Sequence, residues 1–204
     1  DKCRNAFNIG LEKDRTREAY GLHRPGQACL LGRRLIEAGV PLVTVIWNHS
    51  NRGQDRYPAD TAEYGWDTHN DIFEALKEHL CPRFDSTMTT LLNDLDQRGL
   101  LEETLVVCMG EFGRTPRINR NNGRDHFPRC FSALVAGGGV KGGTVIGSSS
   151  NDGQEVRNRP VYIGELYATL LSMLRINPVK ENKLAIGRAI KMAESDEPVT
   201  EMFI

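Results

Sequence analysis

Two short clusters hold the residues with the greatest chemical capacity. Gly65-Trp66-Asp67-Thr68-His69 sets a carboxylate and an imidazole two positions apart, and Asp125-His126 sets the same pair side by side. Between them stands Glu111, just after an apolar run, Thr104-Leu105-Val106-Val107-Cys108-Met109, that stops at Gly110. Carboxylate and imidazole together form the ligand set of a hard or borderline divalent cation such as Zn²⁺, Mn²⁺, Mg²⁺ or Ca²⁺. In an extended segment positions 67 and 69 project to the same side, so Asp67 and His69 can grip one ion. Asp125 and His126 are adjacent and diverge; His126 is the expected ligand of the two. Simpler readings exist for each residue taken alone. Asp67-x-His69 fits a polar turn, Glu111 a helix cap or a partner of Arg114, and Asp125 an N-cap or a partner of an arginine. The combination, set beside buried strands, favours a metal-assisted hydrolase site at a sheet's carboxyl edge.

The loop from Glu111 to Arg129 carries five arginines, Arg114, Arg117, Arg120, Arg124 and Arg129. A planar guanidinium matches phosphate and sulfate oxygens, so a small anionic ester is the expected substrate and Arg114 its expected clamp. Arg117 and Arg120 read as solvated. Nucleic-acid binding would want a wider basic face with interleaved aromatics, which the chain lacks. The glycine-rich stretch Ala136–Gly147 has no GK[ST] and reads as a tight turn between strands. There is no GxSxG, and Ser148-Ser149-Ser150 sits in an ordinary polar turn.

The elements that must position these residues follow from periodicity. Leu11–Tyr20 is helix-compatible and closed by Gly21. A second helix starts near Pro25, with Ala28, Leu31, Leu35 and Ala38 on one face and Gly39 behind it. Val40–Trp47 reads as a buried strand, and Asn48–Asn70 as a long polar connection of the functional kind. Asp71–Arg98 is helical in two pieces broken or kinked at Pro82, with Ile72, Phe73, Leu76, Leu80, Phe84, Met88, Leu91 and Leu95 facing inward. Strands follow at Thr104–Met109 and Phe131–Ala136, then a hairpin-like region at Ser148–Asn158. A last helix is marked by Ile163, Tyr167, Leu170 and Leu174, and residues 179–204 form a weakly patterned tail. Strands alternating with helices predict one α/β domain over residues 1–204 with a mostly parallel sheet flanked by helices.

At 204 residues, with 39% hydrophobic and 26% charged residues, the composition is that of an ordinary globular domain. A formal charge of -1 argues against a global nucleic-acid or membrane-surface role. No apolar run approaches the roughly 18 residues of a spanning helix. The five cysteines have no CxxC spacing, and Cys29, Cys108 and Cys130 lie in apolar runs, as buried free thiols do.

The segments LIEAGVPLVTVIW, GWDTHND, ETLVVCMGEFGRTPRIN, GRDHFP and AGGGVKGGTVIG, in that order, resemble the bacterial domain-of-unknown-function 1501 family. The resemblance runs from about Leu11 to about Pro178, and that family is grouped with the alkaline phosphatases and sulfatases. It implies their α/β fold, a divalent-metal centre and hydrolysis of phosphate or sulfate esters. Sulfatases carry a strand of the type TLVIFTSDNG whose Asp and His or Asn bind metal; here TLVVCMGEFG places Glu111 on the Asp and Phe112 on the other ligand. FSALVAGGGVKGG and GELYATLLSMLRI are similar to the segments that follow in sulfatases. The resemblance makes Asp67, His69, Glu111 and His126 metal ligands, with Asp125 orienting His126 and Arg114 stabilising the anionic transition state. It also implies that the chain is a carboxyl-terminal portion truncated on its N-terminal side, lacking the nucleophile segment, from a protein exported to the periplasm or cell surface. A sheet truncated in that way would expose an edge open to self-association. A binding protein that kept the fold without the chemistry, and a phosphomutase-like transferase, share the same metal logic.

Overall fold

The structure, a computed structural model, describes residues 2–47 and 65–204; most of the long polar connection expected between Asn48 and Asn70 therefore lies outside the described residues. The chain divides into two compact units. One comprises Asp1–Thr104 and Arg114–His126, the other Leu105–Gly113 and Phe127–Ile204.

The first unit is built from helices. α1 (Lys2–Ala6) and α2 (Asp14–Ala19) lead into α3 (Arg24–Glu37). Pro25 occupies the first turn of α3, where its missing N–H costs nothing, and His23 caps it by accepting from the Gly26 amide at 3.1 Å. Gly26 is required: a Cβ there would stand 2.1 Å from the Tyr20 carbonyl oxygen. The buried face of α3 is Pro25, Gly26, Cys29, Leu30, Gly32 and Arg33, not the Ala28, Leu31, Leu35, Ala38 stripe that the apolar spacing marks. The cause is Arg33. Its side chain is fully buried because Glu12 (3.0 Å), Glu37 (2.8 Å) and Asp94 (2.8 Å) surround it. A paired charge can occupy a core position that an unpaired one cannot, so binary patterning misassigns the face.

Residues 40–47 run extended along α3, with Val43 and Val45 3.5 Å from where a Cβ on Gly32 would stand. Val45 and Trp47 join the core of Tyr20, Cys29 and Leu30, whereas Leu42 and Ile46 on the other side are 78% and 81% exposed. The segment has the period-two burial of a strand, but no ladder pairs it among the described residues.

α4 (Ile72–Glu74), a π-helical stretch Ala75–Leu80 and α5 (Cys81–Gln97) form one continuous rod rather than two broken pieces. Pro82 explains the π register. It has no N–H to donate and its ring would strike the carbonyl four residues back, and the wider turn ahead of it accommodates both defects. Ile72, Ala75, Leu80, Thr87 and Leu95 are buried, but Phe73 is 62% exposed and leaves the predicted stripe. α5 is tied to the earlier chain by Thr87 Oγ1 donating to the Tyr20 carbonyl at 2.8 Å and by Tyr20 donating to Asp94 at 2.9 Å.

Four short strand pairs follow. β1 (Val106–Met109) pairs with β4 (Ala133–Ala136) after an excursion through β2 (Gly113–Arg114) and β3 (His126–Phe127), which pair with each other. β1–β4 is antiparallel, as are β5 (Ser148–Ser149) with β6 (Val156–Asn158) and, after α6 (Ile163–Met173), β7 (Glu181–Lys183) with β8 (Ala189–Lys191). None of these three pairs is parallel. The segment joining β1 to β4 contains no helix, and a parallel neighbour needs such a crossover. The glycine-rich stretch is the turn that its composition predicts, with Gly137, Gly138 and Gly139 all at positive φ.

α6 buries Leu166, Ala168 and Thr169, while Ile163, Tyr167 and Leu174 of the predicted stripe are exposed. The tail decides this. The Val199 amide donates to Thr169 Oγ1 at 2.8 Å, Ser195 lies against Gly164, and Glu201 forms a two-point pair with Arg159 at 2.7 and 3.1 Å. Residues 193–203 thus cover the small-residue face of α6, and a weakly patterned tail supplies part of the core. All five cysteines are free; Cys29 is buried, Cys108 and Cys130 half-buried, Cys3 and Cys81 exposed.

Candidate metal centre

Two limbs of the first unit build the site. The first, Gly65–Asn70, is anchored by Trp66, which packs on Ala75 and Leu80 and meets the Phe84 ring edge-on at 5.8 Å. Thr68 is buried beside it, which fixes the direction of its neighbours Asp67 and His69. The second limb, Arg114–His126, folds back on itself. Thr115 exchanges bonds with Asp125, its amide donating to the Asp125 carbonyl at 2.9 Å and its Oγ1 accepting from the Asp125 amide at 3.1 Å. Arg124 Nη1 donates to the carbonyls of Thr115 (2.5 Å) and Pro116 (2.6 Å).

The limbs are docked through backbone. The amides of Asp71, Ile72 and Arg124 donate to the carbonyls of Asn121 (3.2 Å), Asn122 (3.0 Å) and Thr68 (3.0 Å). Asn70 and Asn122 form a bridge. The approach is so close that a Cβ on Gly123 would lie 1.9 Å from the His69 carbonyl oxygen. Asp71 (φ 44°) and Asn122 (φ 56°), both at this seam, adopt the left-handed conformation that their residue types tolerate best after glycine.

This docking brings three ligand atoms together. His69 Nε2 is 3.1 Å from His126 Nε2 and 3.1 Å from Asp67 Oδ1, and His126 Nε2 is 2.8 Å from the same oxygen. Each imidazole nitrogen has one in-plane direction for a proton or lone pair, so three mutual contacts cannot all be hydrogen bonds. His69 Nδ1 lies 3.2 Å from Asp125 Oδ1 and Nε2 3.1 Å from Asp67 Oδ1; a carboxylate only accepts, and a neutral imidazole can donate to only one of the two. With the proton on Nδ1, the Nε2 lone pair faces another acceptor, Asp67 Oδ1. The contact is repulsive unless a proton or a cation lies among the three atoms. Ligand atoms about 2.0–2.1 Å from a tetrahedral zinc ion are about 3.3 Å apart, so a few tenths of an ångström of opening would admit one. The His69–Asp125 pair is the carboxylate–histidine arrangement that fixes a metal-binding imidazole. The side chains are partly open to solvent, His69 at 24%, Asp67 at 34% and His126 at 48%.

The electrostatics agree. Burial raises the pKa of Asp67, but hydrogen bonds from His126 and Arg114 and the charge of Arg114 outweigh it and hold the carboxyl below its ordinary range. Asp125 is lowered by hydrogen bonds from Asn119 and then His69. Both carboxylates are therefore charged and ready to serve a cation.

Arg114, the expected clamp, is bonded within the protein. Nη2 donates to Asp67 Oδ1 (2.5 Å) and to the Trp66 carbonyl (3.3 Å), and Nη1 to the Arg124 carbonyl (3.3 Å). Its fork ties the limbs together. Asp125, expected to orient His126, has its Oδ1 against His69 Nδ1. Glu111 is exposed just beyond β1 and belongs to the second unit, so the three-atom cluster forms without it. Asn119 and Gly123 went unmarked in the sequence. The Asn122-Gly123 dipeptide, a strong turn signal, would have pointed to the tight bend that carries them.

A model of the family described as "Protein of unknown function (DUF1501)" matches residues 1–203, and the chain belongs to that family. No curated protein and no solved structure matches it.

Proposed function

We propose that this DUF1501 protein is a divalent-metal-dependent hydrolase of phosphate or sulfate esters, related to the alkaline phosphatases and sulfatases. The observation that carries the reading is the convergence of Asp67 Oδ1, His69 Nε2 and His126 Nε2 within 4.8 Å of one another. Two imidazoles and one carboxylate favour zinc or manganese over calcium, which prefers an all-oxygen shell. Three protein ligands also leave a coordination position open, as catalytic sites do and structural zinc sites do not. An ion held there would supply Lewis acidity toward an ester oxygen and toward water. The chain's own groups do the rest: Asp125 holds the His69 tautomer, and Arg114 holds Asp67 while adding positive charge beside an anionic substrate.

A metal-binding protein without catalysis is the second reading. It is favoured by the guanidinium of Arg114, which is bonded to Asp67 and to the carbonyls of Trp66 and Arg124. Elemental analysis after dialysis, comparing the wild type with His69→Ala and His126→Ala, tests the centre; generic phosphate and sulfate esters test the chemistry. Stoichiometric metal lost in both variants, together with metal-dependent ester cleavage, is expected. Metal without cleavage would select the binding protein, and metal retained in both variants would remove the centre.

A further inference from the structure

We infer that Asn119 is a positioning residue of the metal centre, acting on His69 through Asp125; the inference rests on the proposed metal reading. Its side chain uses its whole hydrogen-bonding capacity within one bend. Oδ1 accepts from the amides of Asn121 (2.9 Å) and Gly123 (3.0 Å), and Nδ2 donates to the His69 carbonyl (3.0 Å) and to Asp125 Oδ1 (3.0 Å). Two lone pairs and two protons are all satisfied. The amide can therefore stand only one way round, because a flip would set its NH₂ against two N–H groups and its oxygen against two acceptors.

One residue thus performs three tasks. It closes the bend that brings Asp125-His126 back toward Thr115. It clamps the second limb to the main chain of a ligand, His69. It also fixes Asp125 Oδ1, the oxygen that His69 Nδ1–H reaches at 3.2 Å. Asp125 is more than half exposed, and without Asn119 this carboxylate would be free to swing into solvent. His69 would then lose the partner that keeps its proton on Nδ1 and its lone pair on Nε2. None of the three first-contact atoms touches Asn119, so its effect on a metal passes through Asp125 and the His69 backbone.

The decisive substitution is Asn119→Asp. It is nearly isosteric and keeps both bonds to the Asn121 and Gly123 amides. It replaces the donor facing Asp125 and the His69 carbonyl with an acceptor, setting two carboxylates about 3 Å apart, where like charges repel. Zinc titration should show affinity falling about 10–100-fold, the usual cost of losing such a partner. Imidazole ¹H–¹⁵N spectra of the metal-free protein give an independent readout. The wild type should show His69 protonated at Nδ1, and Asn119→Asp and Asp125→Asn should shift it toward Nε2. Unchanged zinc affinity and an unchanged His69 tautomer in Asn119→Asp would overturn the inference. A wild type that binds no zinc would remove the metal reading instead, and the tautomer shift would still decide for or against Asn119. Were Asn119→Asp to unfold the first unit, Asp125→Asn, at an exposed position, would carry the same spectroscopic test.

Discussion

Gly123→Ala probes the link between backbone docking and the site. The added Cβ would meet three atoms of rigid main chain: the His69 carbonyl oxygen at 1.9 Å, its carbon at 2.0 Å and the Asn70 nitrogen at 2.4 Å. No side-chain rotation relieves such contacts, so the bend must withdraw from the first limb by more than an ångström. Withdrawal breaks the bonds from Asp71, Ile72 and Arg124 to the opposite limb and the bond from Asn119 Nδ2 to the His69 carbonyl. Four bonds at about 1 kcal/mol each give about 4 kcal/mol of lost docking energy. Helices α3 and α5 lie outside this seam and should remain folded. Amide exchange should therefore accelerate at Asp71, Ile72 and Arg124 by up to about a thousandfold, near 1.4 kcal/mol per factor of ten, with slow exchange kept at Leu30 and Leu95. Zinc affinity should fall with it, since His126 and Asp125 would retreat from Asp67 and His69. Wild-type protection at Asp71, Ile72 and Arg124 together with wild-type zinc affinity would refute the reasoning.

Other expectations concern the units that carry the site. Burial raises the Asp94 pKa, but hydrogen bonds from Arg98 and Tyr20 and the charge of Arg33 bring it below its ordinary 3.8; Glu12, lowered by Arg34 and Arg33 against the same burial effect, lies below 4.5. Carboxyls with depressed folded-state values stabilise fully above their unfolded values and lose that contribution as pH falls through the folded ones, so melting should be level down to about 4.5 and drop below it. Asp94→Ala removes a partner of the fully buried Arg33 and frees Tyr20, and denaturant titration should report a loss of about 3–5 kcal/mol in the first unit, tempered by the remaining pairs to Glu12 and Glu37. Thr169→Val leaves the buried Val199 amide without an acceptor. A loss of about 1–3 kcal/mol, with faster exchange at Val199, is expected in the second unit alone.

The helices were legible in the sequence because their signals are local: Pro25 and Gly39 bracket α3, and the apolar spacing from Ile72 to Leu95 marks helix on both sides of Pro82, although Phe73 leaves the stripe. The buried faces were less so. α3 hides Arg33 and α6 hides Ala168 and Thr169, because what covers a face is set by distant residues, Glu12 and Asp94 in one case and Val199 in the other. Strand positions near residues 106 and 133 were foreseeable from apolar runs, but an apolar run carries no information on direction. The antiparallel register of Val106 on Ala136 follows from the connection between them.

For the site, residue types told more than pairings. Asp67, His69 and His126 share the chemistry of a cation site whatever the fold, and the structure brings them together across 57 to 59 positions of sequence. The partners of Asp125 and Arg114 were not readable, because each depends on which way a bend turns. That bend is set by Asn119 and Gly123, whose contribution lies in amide geometry and in the absence of a side chain rather than in acid–base or ligand chemistry. A search for reactive residue types passes over both. Yet removing a Cβ's worth of space at Gly123 should disturb the ligand triangle as surely as removing an imidazole. The site is therefore specified at two levels, by what its three ligands are and by how closely two backbones can approach.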